Sequence, residues 1–219
     1  MSRVDLTISA LEPKEPSSLR LVVTLALAGM LSGLALAGAY QITKPTIDAN
    51  KARALQRAVL EVVPGAIRME KLVREGEGLG PAGDEPRGVG EMVFAAYDES
   101  DRLLGYAIEG EGPGFQDTIR LLFGYDPAQR RVIGMFILES RETPGLGDKI
   151  YKDDEFIGHF AQLAVDPGIV LVKAGRAADN EVDAITGATI SSRAVVRIID
   201  GALEDWIDGL PTDAAGEGG

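Results

Sequence analysis

Apolar and polar positions along the chain fall into stretches of different period. Leu21 to Tyr40, "LVVTLALAGMLSGLALAGAY", carries no charge over 20 residues. A bilayer-spanning helix needs about 20 such residues. From Thr46 to Val63 the apolar positions Ile47, Leu55, Val59 and Val62 recur near helical spacing, and Pro64-Gly65 ends the run. The stretch "EGEGLGPAGDEPRGVG", Glu75 to Gly90, reads as loop. Four strand-like runs follow: Met92–Asp98, Leu103–Glu111, Thr118–Asp126 and Arg131–Ser140. "DESDR" and "DPAQR" are short polar turns of hairpin type. In the third run Ile119, Leu121, Phe123 and Tyr125 alternate to one face, and in the fourth Val132, Phe136 and Leu138 do so. The pattern predicts an antiparallel meander with one covered face. A helix is expected over Glu155–Leu163 and a short strand over Ile169–Lys173. The last element is a helix from about Ser191 to Leu210, with Val195, Ile199, Ala202 and Trp206 on a stripe that Ile198, Leu203 and Ile207 widen.

The expected class is α+β: one N-terminal transmembrane helix, then an antiparallel sheet with helices packed on it. The boundaries are a tail over 1–19, a span over 20–41, a juxtamembrane helix over 42–66, the sheet domain over 67–210 and a flexible end over 211–219. Ala35-Leu36-Ala37 resembles a signal-peptidase site, but the apolar run exceeds the ~7–15 residues of a signal-peptide core, which favours an uncleaved anchor. Basic residues flank both ends of the span, so their count does not orient it. Gly29, Gly33 and Ala37 share one helix face, a spacing that suits close packing against another helix or plain lipid exposure.

Composition narrows the chemistry. A net charge of −12 argues against a nucleic-acid partner, which needs clustered Lys and Arg. The chain has no cysteine, which excludes disulfides, cysteine-ligated iron–sulfur clusters and thiolate catalysis. Its single histidine, His159, sits in an apolar stretch without a second base or metal ligand, and suits a structural or surface role. Any redox cofactor must be held in another way.

Three glycine-containing stretches could hold a ligand. "DAITGATISS", Asp183–Ser192, sets the hydroxyls of Thr186, Thr189, Ser191 and Ser192 around Gly187 and Ala188, just before the last helix. Free N–H groups and the positive helix end make an anion cradle there. Equally, Thr189 or Ser191 would serve as an ordinary helix cap. No Walker-type lysine accompanies the glycine. "ESRETPGLGDKI", Glu139–Ile150, holds Leu146 between Gly145 and Gly147, either as a solvent-facing leucine in a tight turn or as an apolar contact for a planar ligand. "EGEGPGFQDT", Glu109–Thr118, reads as a wide hairpin loop.

Together, "ETPGLG" (Glu142–Gly147) and "DAITGATISS" resemble the motifs of the FMN-binding G subunit of Rnf electron-transport complexes, related to the C subunit of the sodium-pumping NADH:quinone oxidoreductase. The resemblance covers nearly the whole chain. It implies that Thr189 carries FMN through a phosphoester made from FAD by a separate flavin transferase. It implies further that Thr186, Gly187, Ala188, Ser191 and Ser192 surround the phosphate, that Glu142, Thr143, Leu146 and Gly147 lie near the flavin ring, and that Asp183 belongs to the flavinylation signature. The expected role is an electron carrier in an ion-translocating ferredoxin:NAD⁺ oxidoreductase. Its expected partners are the other membrane subunits of the complex. The N-terminal tail would be cytoplasmic and the soluble domain periplasmic, anchored in the inner membrane. The C subunit of the quinone-reducing pump, an assembly protein without cofactor, and a tethered flavoprotein serving another reductase are the alternatives.

Overall fold

The computed structural model of the chain describes residues 17–76, 78–83 and 88–212. Most of the expected N-terminal tail and C-terminal end lie outside the described residues. The chain divides into two compact units, Met1–Lys51 and Ala52–Gly219. One helix, α1, runs Ser18–Val62. It is long and apolar enough to cross a membrane, and its apolar stretch is unburied in the chain itself. The sequence pattern gives the span over 20–41 and the juxtamembrane helix over 42–66 as separate elements. The helix instead continues through Pro45. The proline forfeits one backbone hydrogen bond, while the turns on both sides remain helical.

The second unit is built on a seven-stranded antiparallel sheet in the order β2-β1-β3-β4-β5-β6-β7. The strands are β1 (Arg68–Glu75), β2 (Gly78–Pro81), β3 (Met92–Tyr97), β4 (Leu103–Pro113), β5 (Thr118–Asp126), β6 (Arg131–Glu139) and β7 (Leu163–Ala164). The four expected strands are present within a few residues. β2 falls within the stretch whose composition suggests loop, and β1 occupies residues just before it that the pattern assigns to no element. β1 exposes most of its side chains and β2 is glycine-rich, so neither shows a strand-like apolar alternation. A parallel pair, β8 (Val170–Val172) and β9 (Glu181–Asp183), lies outside this sheet.

Both faces of the sheet are covered, not one. On the first face Ile119, Leu121, Phe123 and Tyr125 pack under helix α3, Thr189–Trp206. Its stripe of Val195, Ile198, Ile199, Leu203 and Trp206 is buried as the periodicity predicts. Each of these side chains contributes about 2 kcal/mol by leaving water. On the second face the last turns of α1 lay Ala58, Val59 and Val62 against Phe94, Ala96, Ala107 and Leu122. The end of α1 is thus a core element of the second unit.

The alternation expected for β6 fails for a definite reason. Gly124 pairs with Gly134 and Tyr125 with Val132, so Ile133 has no partner of its own. A bulge of one residue inverts the side-chain alternation beyond it. Val132 therefore joins the α3 side, and Phe136 and Leu138 the α1 side.

The helix expected over Glu155–Leu163 is shorter, α2 at Asp154–Gly158. Asp153 caps it, accepting from the N–H groups of Glu155 and Phe156. Gln162 then takes a left-handed conformation, φ 71°, and turns the chain into β7.

Candidate functional site

The signature stretch forms a tight turn into α3. The N–H of Ala188 donates to the carbonyl of Ile185 at 2.9 Å, with Gly187 at φ 84° between them. That φ is the glycine-favouring region required at the third position of such a turn. Helix α3 starts at Thr189, two residues earlier than its periodicity suggests, and Ala188 is the N-cap. No side chain caps it. This corrects the capping expectation: neither Thr189 nor Ser191 bonds to the helix end. The first helical bond joins the N–H of Ser192 to the carbonyl of Ala188 at 2.9 Å. The N–H groups of residues 189–191 precede it and have no partner within the helix.

The four hydroxyls of the signature separate cleanly. Ser192 is buried; its Oγ accepts from the N–H of Ile185 at 3.1 Å and donates to the carbonyl of Ala188 at 3.0 Å, pinning the turn. Ser191 is buried, and its Oγ donates to Glu142 Oε2. Thr186 and Thr189 are exposed. These two face different spaces. Thr186 lines a polar cleft with Lys149, His159, Lys173 and Asp183. Thr189 lines a cavity of about 320 Å³ with Gly187, Ala188, Ser191, Thr143, Leu146 and Gly147. The two motifs, 36 positions apart at their nearest ends (Gly147 and Asp183), therefore meet at one cavity.

Phe115 and Ile190 complete this wall. Neither is among the residues that the sequence motifs single out. Phe115 is 63% exposed, Leu146 50% and Ile190 53%, unusual for large apolar side chains outside α1. A signal for Phe115 does exist: like Leu146, it is an apolar residue in a glycine-containing turn. The turn itself is tighter than expected. β4 runs to Pro113, and the N–H of Gly114 closes on the carbonyl of Asp117 at 2.9 Å.

Glu142 lies behind the cavity at 5% exposure. Its Oε1 accepts from the N–H groups of Phe115 at 2.9 Å and Gln116 at 3.0 Å. Thr143 Oγ1 donates to Gln116 Oε1 at 2.8 Å beside it. Burial of Glu142 opposes its charge, but the bonds from Ser191 and the amides of Gln116, Phe115 and Asp117 outweigh it and hold the carboxyl below its ordinary 4.5. A carboxyl depressed in the folded state adds stability above its unfolded pKa and loses it as pH falls through the folded value. Glu142→Gln is therefore expected to cost about 2 kcal/mol near neutrality, the scale of charge-assisted bonds made neutral. The difference from the parent should begin to shrink near pH 4.5 and vanish once the pH has fallen through the lower folded value. Urea unfolding followed by Trp206 fluorescence at a series of pH values measures it.

Asp183 stands apart from the cavity. Its Oδ1 accepts from the N–H of Arg176 at 2.9 Å, and Oδ2 lies 3.9 Å from His159 Nε2. His159 is buried in the same polar cleft, in keeping with the structural role expected for it. The site is thus an apolar cavity with an exposed hydroxyl and an uncapped helix N-terminus at its edge. That arrangement fits a ligand with a planar apolar body and an anionic tail.

Comparison with known proteins bears on the identity of that ligand. Residues 114–204 match the family model of the FMN-binding domain. The chain is 33% identical to the G subunit of the ion-translocating oxidoreductase complex of Escherichia coli (strain K12), over 81% of this chain and 85% of that one. It is 32% identical to the protein of the same name from Haemophilus influenzae (strain PittEE), over 80% and 83%. The G subunit of the proton-translocating ferredoxin:NAD(+) oxidoreductase complex of Clostridium ljungdahlii is 29% identical over 80% and 83%. Among solved structures, the fold matches the C subunit of the Na(+)-translocating NADH-quinone reductase of Parabacteroides distasonis, with a TM-score of 0.60 at 18% identity over 74% of this chain and 94% of that one.

Proposed function

Because the chain belongs to the G-subunit family of ion-translocating oxidoreductase complexes, we propose that it is the FMN-carrying electron relay of an Rnf-type ferredoxin:NAD⁺ oxidoreductase. One observation carries the cofactor assignment to a residue. Of the four hydroxyls in the signature, Thr189 alone is both exposed and on the wall of the apolar cavity. It also begins a helix whose end no side chain caps.

In this reading Thr189 Oγ is esterified by the FMN phosphate. A flavin transferase makes the bond from FAD, breaking the pyrophosphate and releasing AMP. The N–H groups of residues 189–191 hold the phosphate charge. Gly187 and Ala188 leave room for it. Thr143, Leu146, Gly147 and Phe115 line the space for the ring. FMN supplies transfer of one or two electrons, and the surrounding residues tune its potential. Ser192 keeps the attachment turn in shape, and Ser191 and Glu142 support the wall from behind. Asp183 and Thr186 face the neighbouring cleft and serve the signature without touching the ring.

Helix α1 anchors the protein in the inner membrane, with the sheet unit on the periplasmic side. Tethering keeps the flavin at high local concentration beside its redox partners, the other membrane components of the complex. The alternative of a quinone-reductase C subunit is supported by likeness of fold alone, whereas the sequence relatives are G subunits.

The test is simple. Full-length chain produced together with a flavin transferase should keep yellow fluorescence after acid precipitation and denaturation. A colourless pellet would instead favour an assembly protein without cofactor.

A further inference from the structure

Three chain segments meet at the carboxylate of Glu142. The hairpin turn between β4 and β5 donates two backbone N–H groups to Oε1, from Phe115 at 2.9 Å and Gln116 at 3.0 Å. The start of α3 donates the Ser191 hydroxyl to Oε2. The third segment is the loop after β6, which carries Glu142 itself. Each segment also supplies one exposed apolar side chain to the cavity: Phe115, Ile190 and Leu146 respectively.

Two glycines make the convergence possible. A Cβ at Gly114 would collide with Glu142 Oε1, and a Cβ at Gly147 with Oε2, as well as meeting Ser191 Oγ at 2.8 Å. Each oxygen of the carboxylate is thus overlaid by a residue without a side chain. The close approach explains the second glycine of "ETPGLG" without any contact to a ligand. Oε1 takes the two backbone N–H donors and Oε2 the Ser191 hydroxyl, and at 5% exposure the carboxylate offers little approach to a further ligand.

We infer that Glu142 is a positioning residue, a buried clamp that fixes Phe115, Leu146 and Ile190 relative to one another and so sets how far the flavin is shielded from water. This rests on the reading that Thr189 carries the flavin. It assigns Glu142 a role distinct from ring contact and adds Phe115 and Ile190 to the cavity walls. Releasing the clamp unties α3 from the other two segments and leaves the hairpin turn and the loop after β6 joined by the exposed Thr143–Gln116 bond. Charge-assisted bonds in a water-poor setting are the strong kind, so their loss should loosen the walls while leaving the attachment residue in place.

The experiment compares the full chain, matured by a flavin transferase in detergent, with Glu142→Ala, Glu142→Gln and Ser191→Ala. Covalent labelling is read as flavin fluorescence of the denatured band, shielding as iodide quenching of the folded protein, and environment as the flavin midpoint potential. Glu142→Ala should remain labelled, be quenched severalfold more strongly by iodide, and shift its potential toward that of free FMN. Glu142→Gln should lie between, since its amide oxygen still accepts from the two N–H groups and its NH₂ can donate to Ser191. If Glu142→Ala does not fold, Ser191→Ala carries the comparison, because it removes one hydroxyl and leaves both backbone contacts. Labelled variants with quenching and potential equal to the parent's would overturn the clamp. An unlabelled parent would overturn the attachment reading instead, so the two failures are distinct.

Discussion

Thr189→Ala is expected to abolish covalent flavin on the chain, and Thr186→Ala to leave it in place. The expectation follows from where the two hydroxyls stand. Both are exposed threonines of the same short turn, three residues apart. Thr186 faces a polar cleft with lysines 149 and 173. Thr189 faces the apolar cavity and opens α3. A phosphate on Thr189 meets N–H groups without helical partners and the positive end of an 18-residue helix. One on Thr186 would meet neither, and its ring would face a cleft that Lys149, Lys173, Asp153 and Asp183 make polar. Denaturing electrophoresis scanned for flavin fluorescence separates the outcomes: no band for Thr189→Ala, a parental band for Thr186→Ala. Thr189→Ser should keep a band, because the hydroxyl is retained. Ser192→Ala should weaken labelling without abolishing it, since Ser192 shapes the turn but is buried beneath it.

The largest effect on stability is expected at the second face of the sheet. Gly124 in β5 lies directly under the end of α1, where an added Cβ would collide with the backbone carbonyl of Val62. A Cβ added at Gly134 in β6 would likewise lie 2.7 Å from the same oxygen. Neither contact is with a side chain that could swing away. Gly124→Ala must lift α1 from the sheet or bend β5, and overpacking of this kind costs about 3 kcal/mol. For a unit of this size that lowers the melting temperature by about 10 °C. Gly201→Ala is the matching control. It lies in α3 with nothing within 4 Å of the added methyl, and alanine in an exposed helical site gains up to about 1 kcal/mol over glycine. Calorimetry of the two variants should therefore move the transition in opposite directions.

Some of this architecture could be read from the sequence and some could not. The strands β3 to β6 were legible because each is a mostly apolar run bounded by polar turns, near-continuously buried in β3 and β4 and with Ile119, Leu121, Phe123 and Tyr125 alternating in β5. The stripe of α3 was legible because Val195, Ile199 and Trp206 repeat at helical spacing over several turns. β1 escapes notice because "RMEKLVRE" exposes most of its side chains, and β2 because it is four residues of mostly glycine and proline flanking one leucine. The covering of the second face is hidden by α1: its last turns look like a continuation of a membrane-proximal helix, and only the fold brings Val59 and Val62 onto Phe94 and Leu122. The phase of β6 is lost at a bulge, which leaves no mark on composition.

The candidate site divides in the same way. Local chemistry points to the helix start and to Leu146, since both depend on glycine and hydroxyl residues close together in sequence. It cannot choose among the hydroxyls, because the burial of Ser191 and Ser192 depends on partners elsewhere in the fold. Nor can it assign Glu142, whose donors lie 26, 27 and 49 positions away. Phe115 belongs to this second class as well, and enters the site through the hairpin that Glu142 holds.

The claim that Thr189 is the point of flavin attachment is tested most directly by peptide mapping of the mature chain with mass spectrometry. The peptide containing Asp183–Ser192 should carry the mass of one FMN less one water, and fragmentation should place it on Thr189. An unmodified peptide from flavin-loaded protein, or the added mass on Thr186, would contradict the account.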